Sequence, residues 1–373
     1  MEEYFKEKIK EVKINNLYRC EKEIDSINIK INLASNDYMN MSQNDILKDK
    51  VIEASKLYGV GSPSSRLVSG TLSIHKELER EISKIKKTED TILVGSGYIA
   101  NIGVINAICN RDFVIFSDKI NHASIVDGAI LSRANFVRYK HGDYKDLENQ
   151  IAKYIDKKKV IITDGVFSMD GDIAPLKEIC RIANDSNSVL IVDDAHGFGV
   201  LGENGGGSIE YLGLQGENII HVGTLSKAAG LYGGFVSGKG YVIDYLRNFL
   251  RGFIYSTALP PTVVYPAIES IRILAEMKEE RRILQENSNY LRERLIDMDM
   301  ETLGYDTPIV PIILKCEKKV LEVSKRLLDE GIYVPAIRVP TVPKNQARLR
   351  VSLGQKTTRK EIDIFLEKIK GIV

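Results

Sequence analysis

The run His221-Val222-Gly223-Thr224-Leu225-Ser226-Lys227-Ala228-Ala229-Gly230 is a short apolar strand that breaks into a loop of small residues carrying one lysine. About one strand upstream, Val189-Leu190-Ile191-Val192-Asp193-Asp194-Ala195-His196-Gly197 breaks in the same way, with an acid at the end of the strand. Working outward, further apolar runs lie at Thr91-Ile92-Leu93-Val94, Phe113-Val114-Ile115-Phe116 and Val160-Ile161-Ile162-Thr163. Helical stretches separate them, which predicts an α/β fold with a mostly parallel sheet and crossover helices. Gly234-Phe235-Val236-Ser237-Gly238 follows the lysine loop too closely for a parallel crossover, which needs about a dozen residues, so it is expected to pair antiparallel.

With 373 residues the chain has room for one large domain and a smaller one. The expected division is an N-terminal arm at 1–44, a large domain at 45–260 and a small α+β domain at 261–373. The change is placed at Leu259-Pro260-Pro261, where a long helical stretch rich in Glu, Arg and Lys begins. Beyond it, strands are predicted at Ile309 to Leu314 and Arg348 to Leu353. Helices are predicted at Lys318 to Glu330 and from Thr358-Arg359-Lys360-Glu361, whose spacing is that of a capping box.

Lys+Arg 52 against Asp+Glu 51 gives no basic face for nucleic acid or an anionic membrane. Cys20, Cys109, Cys180 and Cys316 are scattered without a C-x-x-C spacing, so neither a metal cage nor a disulfide framework is indicated. The charged start Met1-Glu2-Glu3-Tyr4-Phe5-Lys6-Glu7-Lys8 lacks an apolar signal core, and no stretch is long and apolar enough to span a bilayer. The expectation is a soluble, cytoplasmic protein with no resident metal.

In an open parallel sheet the ligand lies outside the carboxyl ends of the strands. A loop lysine and a strand-end acid at that edge suit pyridoxal 5′-phosphate (PLP): the lysine holds the cofactor covalently, and the acid keeps the pyridine nitrogen protonated so that the ring accepts electrons. Asp193, desolvated at a strand end, stays ionised only beside a fixed positive group, and a pyridinium N–H is one. Lys227 sits among Ser226, Ala228, Ala229 and Gly230, small residues that leave room for a bulky ligand. Gly95-Ser96-Gly97-Tyr98-Ile99-Ala100-Asn101 leads from a strand into a helix, whose first N–H groups would face a phosphate; the same glycines would also serve a simple tight turn. Thr224 and Ser226 offer hydroxyls to that phosphate. His196 could reach the ring's phenolic oxygen, and His122 could lie flat on the ring, although alone it reads equally as a packed histidine. Arg348 and Arg350 flank Leu349 in a strand and so share a face. That placement suits capture of a substrate carboxylate, or else a pair of surface arginines.

From about Ile31 onward the chain resembles the α-oxoamine synthases, fold-type I PLP-dependent enzymes. The runs that carry the resemblance are Ala34-Ser35-Asn36-Asp37-Tyr38, Ser65-Arg66-Leu67-Val68-Ser69-Gly70, Asn121-His122-Ala123-Ser124, Asp164-Gly165-Val166-Phe167-Ser168-Met169-Asp170-Gly171-Asp172, Asp193-Asp194-Ala195-His196-Gly197, Tyr255-Ser256-Thr257-Ala258-Leu259-Pro260-Pro261 and Ile337-Arg338-Val339-Pro340-Thr341-Val342-Pro343 with Ala347-Arg348-Leu349-Arg350. Two departures stand out: Tyr98 where relatives often have Phe, and Pro63 where the pattern usually has glycine.

The resemblance implies an aspartate-aminotransferase-like fold and a homodimer. It makes Lys227 the cofactor lysine, Asp193 the pyridine-nitrogen acid, His196 the partner of the ring hydroxyl and His122 the stacked residue. Gly97 and Tyr98 become backbone phosphate contacts, with Ser168 and Thr224 near the ring oxygen and phosphate. Arg350 becomes the carboxylate-binding arginine and Thr341 a substrate contact, while Asn36 and Thr257 are implied to come from the partner subunit. The implied activity is a decarboxylating transfer of an acyl group from a thioester, on coenzyme A or acyl carrier protein, to an amino acid. Ala195-His196-Gly197-Phe198-Gly199 and Pro340-Thr341-Val342-Pro343 favour L-alanine and a pimeloyl thioester. The alternatives are the glycine-using sisters, 2-amino-3-ketobutyrate ligase and 5-aminolevulinate synthase, and a non-catalytic regulatory protein built on the same fold.

Overall fold

The computed structural model describes residues 1–216 and 218–373. The chain divides into two compact units, one of Asn36–Ser168 and Asp172–Arg282, the other of Met1–Ser35, Met169–Gly171 and Ile283–Val373.

The larger unit is built on a seven-stranded sheet. Its strands are β1 (Asp90–Val94), β2 (Phe113–Asp118), β3 (Asn135–Tyr139), β4 (Lys158–Asp164), β5 (Val189–Asp193), β6 (Ile219–Thr224) and β7 (Gly234–Gly238), in the spatial order β1-β7-β6-β5-β4-β2-β3. β7 runs antiparallel to both β1 and β6, as its short connection requires, and the other neighbours pair in parallel. β3 was not expected. Asn135-Phe136-Val137-Arg138-Tyr139 is an edge strand whose polar residues face outward, so it has no continuous apolar run to announce it.

The central strands are buried along both faces, as a sheet covered by helices on each side demands. On one face Ile92, Ile115, Ile162, Ile191, Val222 and Val236 pack against Gly97–Ile108 and Gly240–Phe249. On the other, Phe116, Ile161, Leu190 and Val192 meet Tyr144–Ile151 and Leu176–Asp185. The helix after Leu259-Pro260-Pro261, Pro261–Glu276, packs on Asp45–Tyr58 and Ser73–Lys86. It therefore belongs to the larger unit, and the division falls inside the next helix, at Arg282/Ile283, and not at 260/261.

The smaller unit has a three-stranded antiparallel sheet in the order Ala336–Ile337, Ala347–Ser352, Ile309–Lys315. Glu317–Asp329 and Arg359–Lys370 bury Val320, Val323, Leu327, Ile362, Phe365 and Ile369. The capping box predicted at Thr358 is present: Thr358 Oγ1 accepts from the Glu361 N–H at 3.3 Å, and Glu361 Oε2 accepts from the Thr358 N–H at 2.7 Å. Within the arm, Glu2–Ile14 is helical with no buried residue, while Ile31–Asn32 pairs in parallel with Ile332–Tyr333. No helix among the described residues is long and apolar enough to cross a membrane. All four cysteines are free thiols.

Candidate active site

The parallel strands of the larger unit end on one edge, at Asp164, Asp193 and Thr224. A cavity of about 210 Å³ opens there, and Gly97, Tyr98, His122, Ser168, Asp193, His196, Thr224 and Lys227 all line it. Residues spread over more than a hundred positions of sequence thus meet at the edge where an open sheet binds its ligand.

Asp193 ends β5 with its side chain turned into this cavity, 5% exposed. Its Oδ2 accepts from Asn101 Nδ2 at 2.6 Å and its Oδ1 from the Ala195 N–H at 3.0 Å. Asn101 also donates to Ser124 Oγ at 2.9 Å, so the amide is fixed from two sides. Asp164, the neighbouring strand end, is pushed well above the usual carboxylate range, first by burial and then by the charge of Asp193.

β6 ends at Thr224 and the chain folds back on itself, with Gly230 N–H to Lys227 O at 2.9 Å and Leu225 N–H to Gly233 O at 3.0 Å. Thr224 Oγ1 and Ser226 Oγ lie 2.7 Å apart at the cavity wall. Lys227 Nζ stands 2.9 Å from His196 Nε2. The small residues after Lys227 serve packing more than ligand space: Ala228 and Ala229 are buried. Gly230 has φ +68°, and a Cβ there would meet the Ser42 nitrogen at 2.3 Å.

Ser96 caps Gly97–Ile108, its Oγ accepting from the Ile99 N–H at 3.2 Å. The N–H groups of Gly97 and Tyr98 have no acceptor within their own helix and start a dipole that favours an anion. Gly234 lets β7 pass this turn, since a Cβ on it would lie 2.3 Å from the Ser96 carbonyl carbon. His122 caps Ala123–Ser132 with Nδ1 accepting from the Ser124 N–H at 3.3 Å. Burial lowers its pKa, with Asp193 opposing and Lys227 adding to the effect, so the ring is held neutral. The Tyr98 ring meets it edge-on at 6.4 Å, and the Tyr98 hydroxyl bonds Asp127.

Three further expectations fall elsewhere. Arg348 and Arg350 belong to the smaller unit and are 2% and 4% exposed, which removes the surface-pair reading. Arg348 is engaged by Asp170, whereas Arg350 donates to Ser352 Oγ at 2.8 Å. Thr341, also in that unit, accepts from Arg19 at 3.1 Å. Thr257 is exposed, bridges to Ser65 and lies outside the cavity of its own chain.

Asn36 belongs to the larger unit. Its Oδ1 accepts from the Tyr38 hydroxyl at 3.0 Å, and that hydroxyl is 2.8 Å from Nδ1 of His196 in the same chain. The turn that carries it is held locally, by Asp37 accepting from the Met41 and Ser42 N–H groups.

A family model described as aminotransferase class I and II matches residues 28–369. An 8-amino-7-oxononanoate synthase of Thermoanaerobacter pseudethanolicus is 43% identical over 99% of this chain and 96% of its own. The chain belongs to the class I and II aminotransferase family. A solved 8-amino-7-oxononanoate synthase from Francisella tularensis superposes with a TM-score of 0.81 at 34% identity, over 93% of this chain and 98% of that one. A structure of SPT with a PLP internal aldimine gives 0.88 at 33%, over 92% and 87%.

The fold is thus that of the fold-type I PLP enzymes, the cofactor is PLP, and the chain is an acyltransferase of the α-oxoamine synthase type. The cavity fits that cofactor chemically. An amine at Lys227, a fixed carboxylate at Asp193 and a helix start flanked by hydroxyls match its aldehyde, pyridinium and phosphate.

Tyr38, Asn101 and Asp164 have no role that the sequence announces. Asn101 was visible only as the tail of the glycine turn. Its bond to Asp193 spans 92 positions, and no local pattern announces it.

Proposed function

We propose that this chain condenses L-alanine with a pimeloyl thioester, releasing carbon dioxide and the free thiol carrier and giving 8-amino-7-oxononanoate, a step of biotin synthesis. The observation that carries this reading is the 43% identity to an 8-amino-7-oxononanoate synthase across 99% of the chain.

Lys227 would hold PLP, with Asp193 at the pyridine nitrogen, His122 on the ring face, Ser168 and His196 at the ring oxygen, and Gly97, Tyr98 and Thr224 at the phosphate. When bound, the cofactor supplies an electron sink for the amino acid's α-carbon. The Lys227 amine would serve as the base that takes the α-proton. Asp193, pinned by Asn101 and the Ala195 N–H, would sit at the ring nitrogen. Arg350 binds the alanine carboxylate as a two-pronged donor, aided by Asn36 and Thr341. A new bond would form between the alanine α-carbon and the acyl carbon as the C–S bond breaks and the thiolate takes a proton; the carboxylate would then leave as carbon dioxide, and a proton, returned by Lys227, would take its place on the α-carbon. Neutral His122 adds no second positive charge to the ring face. We also infer a homodimer in which exposed Thr257 serves the partner's site.

The test is product analysis with alanine, glycine or serine against acyl thioesters of several lengths on coenzyme A and acyl carrier protein. Formation of 8-amino-7-oxononanoate from alanine at the highest kcat/KM supports the reading. Preference for glycine or serine overturns it.

A further inference from the structure

Tyr38 is fully buried, and its hydroxyl sits between two site residues. It donates to Asn36 Oδ1 at 3.0 Å and lies 2.8 Å from His196 Nδ1. A phenol has one hydrogen. With that hydrogen directed at Asn36, the oxygen can only accept from His196, so the proton shared along the second bond sits on Nδ1. A neutral imidazole then presents a bare lone pair on Nε2, and Nε2 is the atom 2.9 Å from Lys227 Nζ.

From this geometry we propose that Tyr38 is a positioning residue. It fixes His196 as the Nδ1–H tautomer, so that Nε2 faces the cavity as a hydrogen-bond acceptor. The proposal rests on the placement of PLP at Lys227 only for its catalytic consequence. An Nε2 acceptor takes a hydrogen bond from the lysine ammonium, or from a protonated ring hydroxyl, and leaves that oxygen's proton on the ligand side. The opposite tautomer would instead aim an N–H at the same place. The turn holding Tyr38 is rigid for this purpose. Asp37 accepts from Ser42 Oγ at 2.6 Å and from the Met41 N–H at 2.9 Å. Gly230 of the lysine loop closes directly on Ser42, so the turn and the loop form one packed body.

The measurement is nitrogen NMR of the histidine rings in the full chain loaded with PLP, with His196 assigned from a His196→Gln variant. The expected result is a protonated Nδ1 and an unprotonated Nε2 at neutral pH. In Tyr38→Phe, which keeps the ring volume, the Nδ1–H signature should give way to a mixture or to Nε2–H. The pH midpoint of the cofactor's visible band should shift, and kcat should fall by about tenfold with KM for the amino acid little changed, as for one lost buried hydrogen bond. Nε2–H in the wild-type protein overturns the proposal without any variant, as does an unaltered tautomer in Tyr38→Phe. An enzyme that binds PLP and shows the expected tautomer but prefers another amino acid leaves this assignment standing and removes only the alanine reading.

Discussion

Lys86 Nζ lies 2.8 Å from Asp194 Oδ2, with both side chains buried, so the acid next to Asp193 in sequence is a structural anion. Successive residues at a strand end point to opposite sides. Asp193 turns to the cavity, while Asp194 turns away and accepts from the Ser208 N–H. Glycines surround it: a Cβ on Gly197 or Gly207 would fall 2.2 or 1.8 Å from its oxygens.

Removing one partner of that pair leaves an uncompensated buried charge. Lys86→Met should destabilise the protein by about 3–5 kcal/mol, read as a lower urea midpoint. An unchanged midpoint would mean that Asp194 is satisfied by backbone N–H groups alone.

Asp193→Asn keeps the shape but removes the charge opposite the ring nitrogen, together with one of the two oxygens that accept from Asn101 and the Ala195 N–H. The fold should survive, and exchange of the alanine α-proton with solvent should slow by orders of magnitude. Exchange at the wild-type rate would contradict the electron-sink role.

The pH dependence of stability has an identifiable source in His141. Burial opposes its charge, but hydrogen bonds to Asp118 and Asp172 outweigh burial and raise its pKa to about 10. A raised folded-state pKa gives stability that is complete below the unfolded value of about 6.5 and is lost as pH climbs through about 10. The melting temperature of the wild type should therefore fall across that window, and His141→Gln should flatten the fall. An equally steep fall in the variant would assign it to other groups.

How far the sequence alone reached depended on the range of the contact. Lys227 and Asp193 were legible because each sits at the end of an apolar strand, and the antiparallel β7 was legible from the brief gap after Thr224. The capping box at Thr358 was equally local. Tyr38 was not legible as a partner of His196, because the contact spans 158 positions and its residues carry no shared pattern. The helix Pro261–Glu276 was assigned across a proline signal that marks a helix start as readily as a domain boundary. Alternation along a strand puts Arg348 and Arg350 on one face but leaves open whether that face is buried; the strand is buried along its whole length.

Asn36 bears on which chain completes the site. Because it reaches His196 of its own chain through Tyr38, an inactive Lys227→Ala chain mixed with an inactive Asn36→Ala chain should recover no activity after verified subunit exchange. Each site in the mixed dimer would then lack one of the two residues. Recovered turnover would place Asn36 in the partner's site.

The central claim is that Lys227 is the residue on which this enzyme holds PLP, and borohydride reduction of the purified protein followed by peptide mapping tests it most directly. The account predicts a phosphopyridoxyl group fixed to the peptide containing Lys227, with the visible band abolished in Lys227→Ala. A label on any other lysine, or a band that survives in Lys227→Ala, would contradict it.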